Sequence, residues 1–185
     1  MDSPIPFELI TNIFAAGSVV TTIISGLLLI LLVSSFTAPK NTFVKKTLSF
    51  VQKNSLYAGF LFSFLATAGS LFMSEMAGFV PCELCWYQRV FMYPQAFIFL
   101  LALYYRDSKV FLYSLFLSSI GLLIALWHVF IEYQPKFETC SETSISCSSI
   151  QFQAFGFVTI PFMSASIFLF LVLLSAISLR KNKVK

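Results

Sequence analysis

Four cysteines, arranged as two pairs, are the residues of this sequence best suited to carry out chemistry. Cys82 and Cys85 are separated by two residues, and Cys140 and Cys147 by six. Two thiols three positions apart at the start of a helix can close a small disulfide ring, and the positive end of the helix dipole favours their thiolate form. The spacing of the first pair therefore predicts a redox-active dithiol.

The second pair, Cys140 and Cys147, lies in a polar stretch, which predicts a solvent-accessible loop. An accessible disulfide suits thiol–disulfide exchange with another protein, whereas a structural disulfide is the plain alternative. Four thiolates could instead bind zinc, but zinc ribbons normally use closely spaced ligands in a compact soluble fold. We therefore predict redox chemistry and no metal.

Arg89 follows Cys85 by four residues, so a helix places both side chains on one face. An arginine within a membrane span is costly and is typical of a functional site, although near a helix end its side chain can reach the lipid headgroups. A functional guanidinium could stabilise the Cys85 thiolate and donate hydrogen bonds to a quinone carbonyl oxygen. Both interpretations of Arg89 stay open at this point.

His128 is the single histidine of the chain and stands beside Trp127, at a predicted depth close to that of Arg89. A lone histidine among apolar residues is typical of a hydrogen bond between helices. Contact with a quinone, or proton transfer, is the functional alternative.

The composition places most of the chain in a membrane, since 58% of its 185 residues are hydrophobic and 11% are charged. A span needs about 20 mostly apolar residues, and five segments meet this requirement: 10–36, 56–76, 86–105, 110–131 and 161–179. The first is predicted to be a retained helix and not a signal peptide, because no Lys or Arg precedes it.

The net charge of +4 does not predict nucleic-acid binding, because the basic residues lie in short groups between apolar segments.

The distribution of charge predicts the orientation of the spans. Cytoplasmic segments carry an excess of Lys and Arg. With the N-terminus outside, the cytosolic segments hold ten of the twelve basic residues: Lys40, Lys45, Lys46, Lys53, Arg106, Lys109, Arg180, Lys181, Lys183 and Lys185. This orientation places the C-terminus in the cytosol and all four cysteines on the extracytoplasmic side.

The outer loop 132–160 contains an aromatic segment, 148–157, with Phe152, Phe155 and Phe157. Two structures fit it equally well, a short amphipathic segment at the lipid headgroups and an ordinary loop with a few buried aromatic side chains.

Taken together, these motifs resemble the DsbB family. The resemblance rests on Cys82-x-x-Cys85 with Arg89 four residues later, on Trp127-His128, on a second outer cysteine pair, and on Phe-Gly-Phe-Val-Thr-Ile-Pro before the last span. It covers about residues 55–180. The short spacing between Cys140 and Cys147 is closer to the compact BdbC-like branch of the family.

The resemblance implies an all-α membrane protein with a four-helix bundle that reoxidises a DsbA-like or BdbD-like thioredoxin-fold thiol oxidase and passes the electrons to ubiquinone or menaquinone. It implies that the partner attacks Cys140, with Cys147 as its disulfide mate. Cys82 and Cys85 would form the quinone-coupled pair, with Cys85 touching the ring, Arg89 supporting it and His128 beside the quinone. The expected location is the cell membrane, in contact with lipid.

Three features depart from the family pattern. An extra span precedes the bundle, Glu83 puts a carboxylate between the first two thiols, and the loop between Cys140 and Cys147 is short. We therefore predict five spans, divided into an N-terminal helix with a basic loop (1–54), a redox bundle (55–180) and a basic tail (181–185). The alternatives are a vitamin K epoxide reductase-like quinone reductase, in which the active Cys-x-x-Cys normally lies late in the chain, and a membrane protein whose cysteines form inert structural disulfides.

Overall fold

Five long helices carry most of the described chain; four of them contain a predicted span in full, and the second predicted span, 56–76, continues from the second helix into a π-helical turn. The computed structural model describes residues 6–37, 41–137 and 145–182. The helices are α1 (Pro6–Thr37), α2 (Thr42–Leu71), α3 (Glu83–Tyr105), α4 (Val110–Tyr133) and α5 (Ile160–Asn182), with a π-helical turn (Phe72–Met76) after α2 and a 3-10 turn (Pro135–Phe137) after α4. The predicted bundle of four helices plus one N-terminal helix is confirmed.

Four of these helical segments are long and apolar enough to cross a membrane: Glu8–Thr37, Thr42–Met76, Val110–Tyr133 and Ile160–Arg180. The remaining helix, α3, is less apolar, because it carries Gln88, Arg89 and Gln95. Gln95 is fully buried and ties α3 to α4, since its side-chain oxygen accepts hydrogen bonds from Ser114 Oγ at 2.7 Å and Ser118 Oγ at 3.0 Å. Polar groups on α3 therefore face protein and not lipid at this depth.

The start of α2 differs from the prediction, because the helix begins at Thr42 and not near residue 56. The Asn41 side chain accepts a hydrogen bond from Phe43 N and caps the helix. Val44 is buried while Lys45 and Lys53 are exposed, so one apolar face continues the helix beyond the apolar span. The segment 42–54, which we assigned to a basic loop, is therefore helical. The domain boundary drawn at residue 54 falls inside α2, and that division stays a prediction.

The core of the bundle lies along α5, which packs against α4, α1 and α2. Its buried side chains are Phe168, Phe170, Leu171, Leu173, Leu174 and Ile177. At Gly121 of α4, an added Cβ would lie 2.3 Å from the Phe168 ring, so this close contact requires glycine. At the other end of α5, Arg180 donates a hydrogen bond to Ser35 and lies over the Phe36 ring, which ties α5 to α1.

The aromatic segment of the outer loop leads into a β-hairpin, which was not predicted from the sequence. Two short strands, β1 (Gln153–Ala154) and β2 (Val158–Thr159), pair antiparallel. The tight turn between them uses positive φ angles at Phe155 and Gly156. Ala154 and Val158 are buried against Ala15 of α1, while Phe155 is exposed. The hairpin thus packs against the N-terminal half of α1.

Candidate active site

Cys82 and Cys85 lie at the N-terminal end of α3. Cys82 is the N-cap residue, in an extended conformation, and its carbonyl accepts a hydrogen bond from Trp86 N at 3.2 Å. Both cysteines are free thiols with their Sγ atoms 3.0 Å apart, whereas a disulfide bond is about 2.05 Å long. The two sulfur atoms are thus close neighbours at the positive end of the helix dipole.

The local contacts favour the thiolate form of Cys82. The hydrogen bond from the Cys85 thiol, and after it the contact with His128, lower the pKa of Cys82 to about 4, although burial acts in the opposite direction. Once Cys82 is deprotonated, the Cys85 thiol donates this hydrogen bond, so the negative charge of the reduced pair lies on Cys82. The predicted role of Cys85 toward a quinone concerns a later step and stays a prediction.

His128 of α4 connects the first cysteine pair to the outer loop. Its Nε2 lies 3.6 Å from Cys82 Sγ and 3.0 Å from the Cys147 carbonyl oxygen. On the other side of the ring, the Gln88 amide nitrogen lies 3.0 Å from Nδ1. With the Gln88 amide as donor to Nδ1, the neutral imidazole carries its proton on Nε2, facing the sulfur and the carbonyl. Both ring nitrogens of the buried histidine therefore have partners, which fixes the orientation of the ring.

Cys147 is disulfide-bonded and only 1% exposed. Its predicted mate, Cys140, lies outside the described residues. The prediction of a solvent-accessible pair is therefore wrong for Cys147. Its carbonyl contacts His128, and the following segment is held down by a 2.8 Å hydrogen bond from Gln151 Nε2 to the Val80 carbonyl.

Arg89 is positioned by α2. Its Nε donates to Ser70 Oγ at 3.1 Å and its Nη2 to the Ser70 carbonyl at 3.2 Å, while the guanidinium lies 5.0 Å from the centroid of the Trp86 ring. Tyr93 Oη also donates to Ser70 Oγ, at 3.1 Å. The guanidinium has five N–H groups, and these contacts leave further donors for a ligand.

Two cavities meet at the first cysteine pair. The larger, of about 500 Å³, is bounded by α1, α2, α3 and α5, and Cys85, Gln88 and Arg89 line it at one end. The smaller, of about 20 Å³, is lined by Cys82, Cys85, His128 and Cys147 among others. Cys85 thus faces both cavities. Cys82 and His128 belong to the smaller one, so the structure places His128 beside the thiols and away from the larger cavity.

The larger cavity fits a quinone. Its volume lies within the range of about 300–1,000 Å³ that is usual for small-molecule sites. Most of the lining is apolar, and the polar groups cluster around Arg89 and Ser70 at the end where Cys85 lies. A quinone ring needs donors for its carbonyl oxygens and an apolar surrounding for its tail, and both are present.

Sequence reasoning missed Ser70 and Gln88, which orient Arg89 and His128. Gln88 had a usable signal, because it is a polar residue within an apolar span and precedes Arg89 directly. Ser70 had none, because serines that bond to their own helix backbone are frequent along this chain, as at Ser63 and Ser119.

Cys82, Cys85 and His128 also form a group that could hold a metal ion, since their ligand atoms lie within 4.8 Å of one another. The four-thiolate zinc site weighed from the sequence would need Cys147 as a thiolate, and Cys147 is disulfide-bonded in this state.

The comparisons with known proteins agree with the geometry. The sequence model of the family described as "Disulfide bond formation protein DsbB" matches residues 52–178. Helix α1 precedes this match. No solved structure matches the chain significantly.

Curated relatives carry related names. A "Probable disulfide formation protein" of Oceanobacillus iheyensis is 41% identical over 74% of this chain and 97% of its own length. The "SPbeta prophage-derived disulfide bond formation protein B" of Bacillus subtilis is 46% identical over 59% of this chain and 74% of its own length. "Disulfide bond formation protein C" of the same organism is 37% identical over 64% of this chain and 87% of its own length.

Proposed function

The chain belongs to the DsbB family, and on that premise we propose that it reoxidises an extracytoplasmic thioredoxin-fold thiol oxidase and passes the electrons to a membrane quinone. The family supports membrane disulfide oxidation in general. The observation that carries the finer proposal is the position of Cys85 between the two cavities, because it gives the first cysteine pair one side for the loop disulfide and another for a quinone.

Thiol–disulfide exchange delivers electrons from the partner, which is a DsbA-like or BdbD-like oxidase. The partner's thiolate attacks Cys140, a bond forms between the two proteins, and Cys147 leaves as a thiolate. Cys147 then attacks Cys82 of the Cys82–Cys85 disulfide and releases Cys85 as a thiolate. Cys82, Cys85 and Cys147 all line the smaller cavity, which supports exchange between them.

The remaining exchanges restore the loop. The partner's second thiolate attacks the bond between the two proteins, which leaves the partner oxidised and Cys140 as a thiolate. Cys140 attacks Cys147 and frees Cys82, so the loop disulfide re-forms and the first pair is now reduced. A bound quinone supplies a two-electron, two-proton acceptor, which returns the first pair to its disulfide.

The neighbouring side chains support these exchanges. His128 places an N–H group against Cys82, which stabilises this sulfur as a leaving thiolate. Arg89, held by Ser70, directs positive charge into the larger cavity beside Cys85. Ubiquinone and menaquinone both present the carbonyl oxygens that this arrangement favours.

We also propose that both cysteine pairs face the extracytoplasmic side of a multi-pass cell membrane protein. Cys82 and Cys147 lie at one end of the bundle, so whichever side holds one pair holds the other. The excess of Lys and Arg at the opposite end favours the cytosol for that end.

Quinone-dependent turnover by the full-length protein in proteoliposomes tests this function. With a reduced thioredoxin-fold oxidase and ubiquinone or menaquinone, the wild-type protein should oxidise the partner and reduce the quinone, whereas Cys85→Ser should do neither. Ser49→Ala, an exposed position near the start of α2, is the control and should match the wild type. Quinone reduction by Cys85→Ser would defeat the proposal, and so would a wild-type protein without turnover, which the inert-disulfide alternative predicts.

Metal binding is a second candidate, favoured by the proximity of Cys82, Cys85 and His128. It predicts stoichiometric metal in the purified reduced protein, loss of this metal in His128→Ala, and no quinone reduction. Turnover by metal-free protein would reject it.

A further inference from the structure

Helix α1, which lies before the part of the chain matched by the family, forms one wall of the larger cavity. Its contribution consists of one helical face: Ile13, Phe14, Gly17, Ser18, Val20 and Thr21. These residues recur at intervals of three and four, as expected for one side of a helix. The packing of α1 against α5, and to a lesser extent against α2, fixes this face in position.

The cavity is elongated along the bundle and polar at one end. Along α2 and the π-helical turn that follows it, the lining runs from Phe62 to Ser74, about 18 Å at about 1.5 Å per residue. The α1 face covers about 12 Å on the same scale, from Ile13 to Thr21. Cys85 and Arg89 lie at the polar end, so the remainder of the cavity extends away from the reacting thiol.

The hydroxyl groups on the α1 face are already bonded within the helix. Thr21 Oγ1 donates to the Gly17 carbonyl at 2.8 Å, and Ser18 Oγ donates to the Ala15 carbonyl at 2.7 Å. Their donors are therefore satisfied, and α1 presents mainly carbon to the cavity. A wall of this kind suits a hydrocarbon chain better than a polar ring.

We propose that α1 is the binding wall for the isoprenoid tail of the quinone, while the ring lies at the end marked by Cys85 and Arg89. This inference rests on the proposed function and adds to it a role for the N-terminal helix. By closing the cavity between α2 and α5, α1 buries tail surface that lipid would otherwise cover and so sets the affinity for long-tailed quinones.

A substitution at Gly17 tests this proposal and should leave the fold intact. An added Cβ at Gly17 meets no atom within 4 Å, although Gly17 lines the cavity, so a large side chain there enters open space. Gly26 on the same helix also has nothing within 4 Å, but it lies nine residues away, about 180° around the helix, and does not line the cavity. Gly17→Phe is therefore the blocking variant and Gly26→Phe its matched control.

The experiment compares each variant in proteoliposomes with long-tailed menaquinone and menadione, its tail-less ring, and with the corresponding ubiquinone pair. Gly17→Phe should raise KM for the long-tailed quinone about tenfold, equivalent to about 1.4 kcal/mol, and leave KM for the tail-less ring unchanged. Gly26→Phe should match the wild type with both. Equal KM values for the two variants with the long-tailed quinone, or an equal rise for both quinones in Gly17→Phe, would overturn the assignment of the tail to α1.

Photolabelling gives a readout that does not depend on turnover. A long-tailed quinone with a diazirine in its tail should label the wild-type peptide that contains residues 13–21, and Gly17→Phe should reduce this labelling while Gly26→Phe does not. Labelling confined to other helices would refute the inference. A wild-type protein that reduces neither quinone defeats the proposed function itself, whereas normal wild-type turnover with an unaffected Gly17→Phe variant defeats only the role of α1.

Discussion

The Sγ atom of Cys82 lies 3.6 Å from Nε2 of His128, although the two residues are 46 positions apart in the chain. The same nitrogen lies 3.0 Å from the Cys147 carbonyl oxygen. A single buried imidazole therefore contacts one member of each cysteine pair, at the sulfur of Cys82 and at the backbone carbonyl of Cys147.

Titration of Cys82 tests the electrostatics of the first pair. Its pKa in the fold is about 4, below the ordinary value of 9.0, so the thiolate should persist at neutral pH and be lost only as the pH falls through about 4. Ultraviolet thiolate absorbance of the reduced Cys140→Ser/Cys147→Ser protein measures this midpoint. Cys85→Ala should raise the midpoint more than His128→Ala, because the Cys85 hydrogen bond contributes more. A wild-type midpoint near 9 would contradict the described contacts.

Replacement of Arg89 by lysine tests whether geometry matters in addition to charge. Arg89→Lys retains the charge but loses the two-pronged contact with Ser70, and hydrogen bonds to charged groups contribute about 1.5–3 kcal/mol. We expect KM for quinone to rise about tenfold or more, with partner exchange unchanged. Ser70→Ala should give a smaller rise, because Arg89 keeps its bond to the Ser70 carbonyl. A wild-type KM in Arg89→Lys would show that charge alone suffices.

Peptide mapping of a trapped complex tests which sulfur of the loop meets the partner. Cys147 is 1% exposed, so an incoming thiolate should reach Cys140 instead. In Cys82→Ser, where Cys147 has no acceptor, a partner carrying only its attacking cysteine should accumulate in a mixed disulfide through Cys140. A linkage through Cys147 would mean that the loop opens before exchange.

Gly121→Ala tests the close packing of α4 on α5. The added Cβ would lie 2.3 Å from the Phe168 ring, which is fully buried, so we expect a loss of about 1–3 kcal/mol in the free energy of unfolding. Gly26→Ala, where nothing lies within 4 Å, should be neutral or slightly stabilising. Denaturant unfolding in detergent compares the two, and equal stability would refute this packing argument.

Orientation can be tested with single reporter cysteines in a cysteine-free background. Phe155→Cys lies at the exposed tip of the hairpin, and Arg106→Cys lies in the turn between α3 and α4. A membrane-impermeant maleimide applied to intact cells should label the former, and the latter only after permeabilisation. The opposite pattern would reverse the proposed sidedness of the cysteine pairs.

The spans and the local motif were predictable from the sequence because both depend on short stretches of chain. Hydrocarbon requires about 20 apolar residues per helix, and helical spacing alone puts Cys85 and Arg89 on one face. The early start of α2 was missed because it depends on the packing of an amphipathic extension. The hairpin around Gly156 was missed because it depends on the packing of Ala154 and Val158 against Ala15.

The sequence by itself determined the membrane class and the family and predicted that Cys82 and Cys85 act together, since apolar runs and short motifs are sufficient for each of these. Only the tertiary structure decided that Cys147 is buried, that His128 joins the two pairs, that Ser70 holds Arg89, and that α1 walls the cavity. These contacts join helices far apart in sequence. Helical periodicity determines which residues share a face, but which face meets which helix depends on close packing, such as that of Gly121 on Phe168.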